Sequence, residues 1–216
     1  RVLFRSVTLV ALGRGATTEQ AREGVCDGIA LLALVDDDRK EGTYTKSAEL
    51  REVVLALGSR ADSTAAREAC CYAIGKLAGN YPRLLATPEV RDLLVSMGRE
   101  ADSDRLRECV ASATGSVARR QAGLVTPAVR DMLVALGTRV GSCEFARDAI
   151  ATAVVTISKS SQEGHRLVAT EAVRQMLLAL GAPRGQERTS IAAAVAAIAV
   201  DLPGQQLMAT VEVRDV

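Results

Sequence analysis

One phrase recurs along the chain at a nearly constant interval, and this repeat constrains the fold more than any other feature. The copies are SAELREVVLALG from Ser47, TPEVRDLLVSMG from Thr87, TPAVRDMLVALG from Thr126, TEAVRQMLLALG from Thr170 and TVEVRDV from Thr210. Their starts lie about 40 residues apart, a period typical of stacked helical repeats. The sequence therefore predicts an all-α solenoid.

Each copy of the phrase predicts one helix of about three turns. A Ser or Thr opens it as the N-cap, whose side-chain oxygen accepts a backbone N–H, and Pro88 and Pro127 suit the first helical position. Apolar residues follow at helical spacing. A glycine closes each copy and predicts a left-handed C-cap. These glycines are Gly58, Gly98, Gly137 and Gly181, and Gly13 matches them in the earlier phrase LVALG.

A longer helix is predicted after each copy, because apolar residues recur there at helical spacing. In the second repeat these are Ala66, Ala69, Cys70, Ala73, Ile74 and Leu77. A short element precedes the capping Thr, as in RLLAT, GLVT, RLVAT and QLMAT. We therefore expect one solenoid domain of about five three-helix repeats, the terminal ones incomplete. The expected repeats are residues 1–42, 43–82, 83–121, 122–164 and 165–205, with the start of a further repeat at 206–216.

The repeat resembles the armadillo family. The stretch SQEGHRLVATEAVRQMLLALG and the later ERTSIAAAVAAIA follow that family's pattern of a short helix, a helix with Leu and Val pairs, and a long helix ending in an Ala-x-x-Ile-Ala phrase. Similar phrases are AIGKLA, ATGSVA and AVVTIS. HEAT repeats, with two helices, are the near alternative, and the RLLAT element favours the three-helix type. The resemblance implies a right-handed superhelix whose long helices line a concave groove.

The resemblance also implies positions for the groove. In peptide-binding members an Asn near the end of the long helix holds the bound backbone, and a Trp one turn earlier forms pockets. No Asn or Trp stands at either position here, so we do not expect a nuclear-import receptor that clamps basic peptides. Tyr72 is the one large anchor expected. The Asn position falls on Leu31, Lys76, Ser116, Thr156 and Ala197, and the Trp position on Asp27, Tyr72, Ser112, Thr152 and Ala193.

Arginines recur in both longer helices, mostly followed by an acidic residue. One interpretation is a charged ladder that recognises a partner. The other, which we favour because the pairs repeat with the structural unit, is a network of Arg–carboxylate pairs that links helices. The medium-helix arginines are Arg51, Arg91, Arg130, Arg174 and Arg214, and the long-helix arginines are Arg22, Arg67, Arg107, Arg147 and Arg188.

Composition and single residues exclude several classes of function. The net charge of +1 lacks the basic excess of a nucleic-acid binder, so none is expected. The longest apolar run, Ile191–Val200, is too short to span a bilayer. Five cysteines at spacings that match no metal motif predict reduced thiols inside helices, hence an intracellular protein, in the cytoplasm or else the nucleus. We expect no metal and no cofactor.

Three further features could form a site, but each has a structural explanation. His165 has no catalytic partners at a recognisable spacing, so we expect a surface histidine. Gly13 and Gly15 faintly resemble a phosphate loop, but helix termination explains Gly13 better. The run Asp36–Glu41 lacks the pattern of a calcium loop and is interpreted as a solvated inter-repeat loop, a second candidate for a recognition surface.

The function expected from these features is binding rather than catalysis. We expect a protein-interaction scaffold or adaptor that holds a peptide or protein along the groove. The alternative is a structural segment of a longer repeat protein, acting as a spacer or associating head to tail, because neither end shows a polar capping repeat. No enzyme is expected, because no motif places a nucleophile, base or metal.

Overall fold

The computed structural model describes residues 2–39, 48–119, 125–181 and 188–199. Over these residues the chain forms twelve α-helices and no strand. In chain order the helices are α1 (Val2–Gly15), α2 (Glu19–Arg39), α3 (Ala48–Gly58), α4 (Thr64–Asn80), α5 (Pro82–Leu85), α6 (Pro88–Arg99), α7 (Asp104–Ala118), α8 (Pro127–Arg139), α9 (Glu144–Ser160), α10 (Gln162–Val168), α11 (Glu171–Gly181) and α12 (Arg188–Ile198).

The helices form two parallel series. The long helices α2, α4, α7, α9 and α12 each pack on the next of their kind, and the medium helices α1, α3, α6, α8 and α11 do the same beside them. Each medium helix also packs on the long helix that follows it, and the short helices α5 and α10 pack on α4 and α9. The three-helix unit is thereby confirmed at these two places. The short elements predicted at Gly123 and Gln206 begin outside the described residues.

Small side chains allow the long helices to approach closely. A Cβ added at Gly75 would lie 3.6 Å from the Cα of Ala113, and one at Gly115 would lie 3.4 Å from the Cα of Ala153. The six apolar positions predicted for α4 are all buried, as are their counterparts Ala146, Ala149, Ile150, Ala153, Val154 and Ile157 in α9. One continuous apolar core runs through the repeats from Val10 to Ile198.

The repeat glycines have a different role from the one predicted. None of Gly13, Gly58, Gly98 and Gly137 has a left-handed backbone, and α6 and α8 continue beyond theirs. Instead, each glycine accommodates a side chain of the next medium helix. A Cβ at Gly98 or Gly137 would meet Met132 or Met176 at under 3.0 Å. The C-cap prediction is therefore wrong: these glycines are required by close packing between repeats. Gly13 and Gly58 receive Val53 and Leu93 in the same way.

The helix caps also differ in part from the prediction. Thr87 and Thr126 hold the N-cap position before a proline, but their hydroxyls accept no capping N–H. Proline fixes the backbone of the first turn, so that turn forms without such a bond. The predicted cap does form at Thr170, whose hydroxyl accepts the third N–H of α11 at 3.4 Å. Side-chain caps also occur on the long helices, where Ser63 and Ser103 accept the third N–H of α4 and α7 at 3.2 and 3.0 Å.

The arginines of the long helices bind loop carbonyls rather than the acid that follows them. Each guanidinium folds back over the turn between the medium and long helices and satisfies a carbonyl left over near a helix end. Arg22, Arg67 and Arg107 do not pair with the acid that follows each of them but with other carboxylates, those of Glu19, Glu100 and Asp104. The predicted structural network of Arg–carboxylate pairs is therefore confirmed with different partners. The bonds run from Arg22 to Thr17 at 3.1 Å, Arg67 to Ala61 at 3.0 Å, Arg107 to Ala101 at 3.2 Å and Arg147 to Gly141 at 2.7 Å.

In the medium helices the predicted neighbour pairs do form. Arg91 contacts Asp92 at 2.8 Å and Arg130 contacts Asp131 at 2.6 Å. Arg174 reaches back to Glu171 at 2.7 Å. The side chain of Arg188 and all of Arg214 lie outside the description.

Polar bonds also join successive repeats. Glu19 accepts from the hydroxyl of Ser63 at 2.8 Å and from its N–H at 2.9 Å. Arg139 donates to the carbonyls of Gly98 at 2.7 Å and Arg99 at 3.1 Å, at the end of the preceding medium helix. Neighbouring repeats are thus fixed by hydrogen bonds as well as by apolar packing.

The acidic run Asp36–Glu41 begins inside α2. Helix α2 continues to Arg39, so Asp36, Asp37 and Asp38 are helical, and the loop prediction is wrong for them. No glycine or proline stands between Ile29 and Arg39 to stop the helix. Lys40 and Glu41 lie outside the described residues, so the prediction of a recognition loop there stays untested.

Candidate functional site

The candidate site is a run of three adjoining depressions on the exposed face of α2, α4, α7 and α9, which we name the long-helix groove. Each depression is open to solvent and takes in about 620 to 640 Å³ of space. They share lining residues, because Tyr72 belongs to the first two and Ser112 and Ser116 to the last two. The groove is therefore continuous across four long helices.

The first depression lies between α2 and α4. Three carboxylates line it: Glu23, Asp27 and Glu68. Glu68 accepts from the Ser103 hydroxyl at 2.9 Å, whereas no hydrogen bond or ion pair joins the carboxylate of Glu23 or Asp27 to another residue that the structure describes. This end of the groove is negatively charged.

The second depression lies between α4 and α7 and contains the predicted anchor. The Nζ of Lys76 lies 5.0 Å from the centre of the Tyr72 ring, within the range of a cation–π contact. Arg105 pairs with Glu108 at 2.7 Å on the same lining. The hydroxyls of Ser112 and Ser116 form the opposite wall. The Tyr72 ring, the Lys76 ammonium group and the side chains of Ser112 and Ser116 therefore all line the second depression.

The third depression lies between α7 and α9 and holds an aromatic residue that the repeat pattern did not predict. Phe145 is 75% exposed and lines it together with Glu108, Asp148 and Arg119. Tyr72 is therefore not the only large anchor. The register of Phe145 differs from that of Tyr72, so the family resemblance did not point to it. The sequence sign that could have identified Phe145 is a Phe at the repeat position where α2, α4 and α7 carry Gln20, Ala65 and Arg105.

The structure places the predicted groove residues unequally. The groove brings six of them together with Asp27: Tyr72, Lys76, Ser112, Ser116, Thr152 and Thr156. Leu31 is 62% exposed on α2, and Ala193 is exposed on α12, but neither lines these three depressions. Ala197 is buried, and its carbonyl accepts from the Ser158 hydroxyl at 3.0 Å. Its side chain is therefore not presented to a partner.

Charge is segregated across the groove. The carboxylates Glu23, Asp27, Glu68, Glu108 and Asp148 all stand in the first half of their helices, and the cations Lys76 and Arg119 stand at or near the helix ends. Arg105 also stands on the acidic side and pairs with Glu108, whereas the guanidinium groups of Arg22, Arg67, Arg107 and Arg147 bind loop carbonyls. The groove thus has an acidic side and a basic side.

The cysteines offer no reactive thiol to the groove. All five are free, and four are buried. Burial raises the pKa of Cys109, which lines the first two depressions, to about 11. Burial also raises the pKa of Cys71, and a hydrogen bond with Cys26 raises that of Cys70. Since the thiolate is the nucleophile, these groups are weak nucleophiles at neutral pH.

His165 is buried, so the surface assignment made from the sequence is wrong. Its Nδ1 lies 3.0 Å from the Ser158 Oγ, which also lies 3.0 Å from the carbonyl oxygen of Ala197. The serine hydroxyl has one hydrogen, and the carbonyl can only accept it. Nδ1 therefore carries a proton and donates to Ser158. These two hydrogen bonds join α10, α9 and α12, so the buried histidine has a structural role.

Two further properties concern the part of the chain that the structure describes. It contains no group of three His, Cys, Asp or Glu side chains arranged to hold a metal ion. None of its helices combines the length and apolar character required to cross a bilayer.

Known structures resemble this fold at low sequence identity. One engineered protein matches 96% of this chain and 93% of its own with a TM-score of 0.71 and 16% identity. A designed armadillo repeat protein in complex with peptide (KR)4 matches 88% of this chain and 80% of its own with a TM-score of 0.68 and 16% identity. A second designed armadillo repeat protein has a TM-score of 0.64 at 17% identity over the same shares. No family model and no curated protein matches the sequence. The likeness shows an armadillo-type all-α superhelix.

Proposed function

We propose that this armadillo-type solenoid is a scaffold or adaptor that binds a peptide or protein segment along the long-helix groove. The observation that carries the proposal is the exposure of two aromatic side chains in a continuous, charged groove. Phe145 is 75% exposed and Tyr72 is 37% exposed. The chain has only five Tyr and Phe residues and no Trp. Exposed aromatic residues of this kind are favoured anchors in protein interfaces.

The known structures support the kind of partner without identifying it. One of the designed armadillo neighbours is in complex with a peptide. The long-helix groove has neither Asn nor Trp at the positions where peptide-binding family members carry them, so its contacts with a bound peptide would differ from theirs. Tyr72, Lys76 and the serine hydroxyls of α7 offer ring stacking, charge and hydrogen bonds to an occupant.

The proposal is tested by affinity capture from the source cell, followed by mass spectrometry and by a binding measurement on the partner identified. Tyr72→Ala and Phe145→Ala should each weaken that binding roughly tenfold or more, the size expected for a truncated interface anchor. Both side chains are exposed, so the thermal unfolding midpoint should change little. Lys76→Glu should weaken binding as well.

Glu52→Gln is the matched control, because Glu52 is exposed on the medium helix α3, away from the groove. It should leave binding unchanged. If Tyr72→Ala and Phe145→Ala bind the identified partner as well as the parent and the control do, the groove is not the interface.

A second candidate function is end-to-end stacking of helical repeats on α1. Leu12 is 55% exposed, whereas the residues at the same repeat position, Leu57, Met97, Leu136 and Leu180, are at most 3% exposed. Val7 on the same helix is 62% exposed. Leu12 thus stands at a repeat position that is buried in the other medium helices, but here its side chain is exposed to solvent. Concentration-dependent association in sedimentation, lost in Leu12→Glu, would support this function, and a monomer at every concentration would contradict it.

We propose an intracellular setting for either function. The support is chemical: all five cysteines are free, and oxidising compartments favour disulfides. The absence of nucleic-acid binding and of catalysis stay predictions. An electrophoretic mobility assay with duplex and single-stranded nucleic acid tests the first.

A further inference from the structure

We propose that the long-helix groove selects an extended segment whose side chains alternate between cationic and anionic. This inference rests on the proposed function and specifies the occupant's chemistry. In a β-strand, successive side chains point to opposite sides. A strand that crosses the long helices would therefore direct one set of side chains to the acidic side of the groove and the other set to the basic side.

The acidic side is continuous over four helices. Glu23 and Asp27 come from α2, Glu68 from α4, Glu108 from α7 and Asp148 from α9, and all five line the depressions. Arg105 compensates one of them through its bond to Glu108. The remaining excess of carboxylates favours cationic side chains at this side.

The basic side is formed where the same helices end. Lys76 stands in the last part of α4, and Arg119 follows the last residue of α7. Arg119 is exposed; its N–H donates to the Gly115 carbonyl at 3.1 Å, and no hydrogen bond or ion pair joins its guanidinium to another residue in the described ranges. Lys159 occupies the matching position of α9 and is also exposed. Anionic side chains of an occupant are favoured here.

The dimensions suit a strand. Eleven residues separate Glu108 from Arg119, which is about 16 Å along the helix at 1.5 Å per residue. Long side chains on the two faces of a bound strand extend towards both sides of the groove. Together with the side chains of Arg119 and the carboxylates, they bridge this width. Packed helices lie about 8–10 Å apart, and the Gly–Ala contacts hold the long helices near the lower value. Two strand residues advance about 6.6 Å, so each repeat meets two or three residues.

Phe145 adds a specific subsite for a cation. Phe145 is 75% exposed and lines the third depression together with Glu108 and Asp148. An exposed ring beside two carboxylates suits an Arg or Lys side chain, which stacks on the face of the ring while its charge is paired. The helix dipole also favours acids early and bases late in a helix. However, the dipole explains neither an exposed phenylalanine nor a groove between the two charged sides.

The test uses four synthetic peptides of eight residues with blocked ends. Eight extended residues span about 27 Å, close to the width of four packed helices. The first peptide alternates Lys and Glu, the second has four Lys followed by four Glu, and the other two are all Lys and all Glu. Affinity is measured by fluorescence anisotropy at low ionic strength, where exposed charges are screened least.

The alternating peptide should bind about tenfold more tightly than its block isomer, because several weak ion pairs form at once only in the alternating register. The two isomers have the same composition and net charge, so the comparison isolates the pattern. Equal affinity of the isomers, tighter binding of the all-Lys peptide, or no binding of the alternating peptide would each overturn the inference.

Two variants locate the peptide in the groove. Arg119→Gln should weaken the alternating peptide roughly two- to five-fold and leave the all-Lys peptide no weaker. Asp148→Asn should weaken both. Glu52→Gln is again the control and should change neither. If a natural partner still depends on Tyr72 and Phe145 when no alternation preference is found, the proposed function stands and this inference alone fails.

Discussion

The substitution Gly98→Ala tests whether close packing between repeats, rather than backbone conformation, requires the repeat glycine. The backbone at Gly98 is helical, so alanine should gain about 1 kcal/mol of helix propensity. The added Cβ would meet Met132 at under 3.0 Å and Val110 at 3.3 Å. Met132 is only 2% exposed and has little room to move. Overpacking of this kind costs about 1–3 kcal/mol, so the variant should be less stable than the parent by up to about 2 kcal/mol.

Gly79→Ala is the matched control. Gly79 lies in the last turn of α4, is exposed, and a Cβ there would meet nothing within 4 Å. This variant should be more stable by about 0.5–1 kcal/mol. The free energies of unfolding are measured by urea denaturation followed by circular dichroism. If Gly98→Ala stabilises the protein as much as Gly79→Ala does, the packing argument is refuted.

Three further predictions follow from single contacts. Ser158→Ala should destabilise the protein by about 1–3 kcal/mol in urea denaturation, because the buried Ala197 carbonyl loses its donor. A hydrogen bond from Arg174 lowers the pKa of Glu171 from 4.5 to about 2. The ionised carboxylate therefore stabilises the fold fully at pH values above 4.5, and this stabilisation is lost as the pH falls through 2. Glu171→Gln should accordingly lower the thermal midpoint at pH 7, and the difference from the parent should vanish towards pH 2. Of the five thiols, Cys143, the only one not buried, should be alkylated first by iodoacetamide at pH 8, as mass mapping will show.

The fold could be predicted because its signals are local and repeated. The apolar positions of α4 and α9 and the prolines at the helix starts each act within one or two turns, and the structure confirms them. The phrase repeats these local signals about every 40 residues. The role of Gly98 could not be predicted in this way, because it depends on Met132 in the next repeat. A glycine near a helix end fits both a C-cap and a close contact.

The candidate site was predicted less completely, for a similar reason. Tyr72 and Lys76 were found because the family resemblance marks their register, and they do contact each other. Phe145 lies outside that register, so only the fold shows that it lines the groove. The surface prediction for His165 was wrong because its burial depends on other helices: Ser158 lies on α9, and the Ala197 carbonyl bound by Ser158 lies on α12. Burial of a single polar residue follows from tertiary packing and not from a local pattern.

The arrangement of the long-helix arginines also determines the charge of the groove. In the sequence, each arginine stands beside an acid, as Arg67 does beside Glu68, so the two charges should cancel. The guanidinium of Arg67 instead forms a charge-assisted bond to a turn carbonyl. Arg67 therefore turns to the Ala61 carbonyl and to Glu100, and Glu68 remains on the groove lining. A chain with a net charge of +1 can thus present a mainly acidic side to a partner. Arg67→Met should consequently loosen the turn while leaving the Glu68 carboxylate in the groove, whereas Glu68→Gln should reduce binding of a cationic peptide without loosening the turn. Hydrogen exchange of the turn amides separates the two effects, and equal loss of protection in both variants would contradict this division of roles.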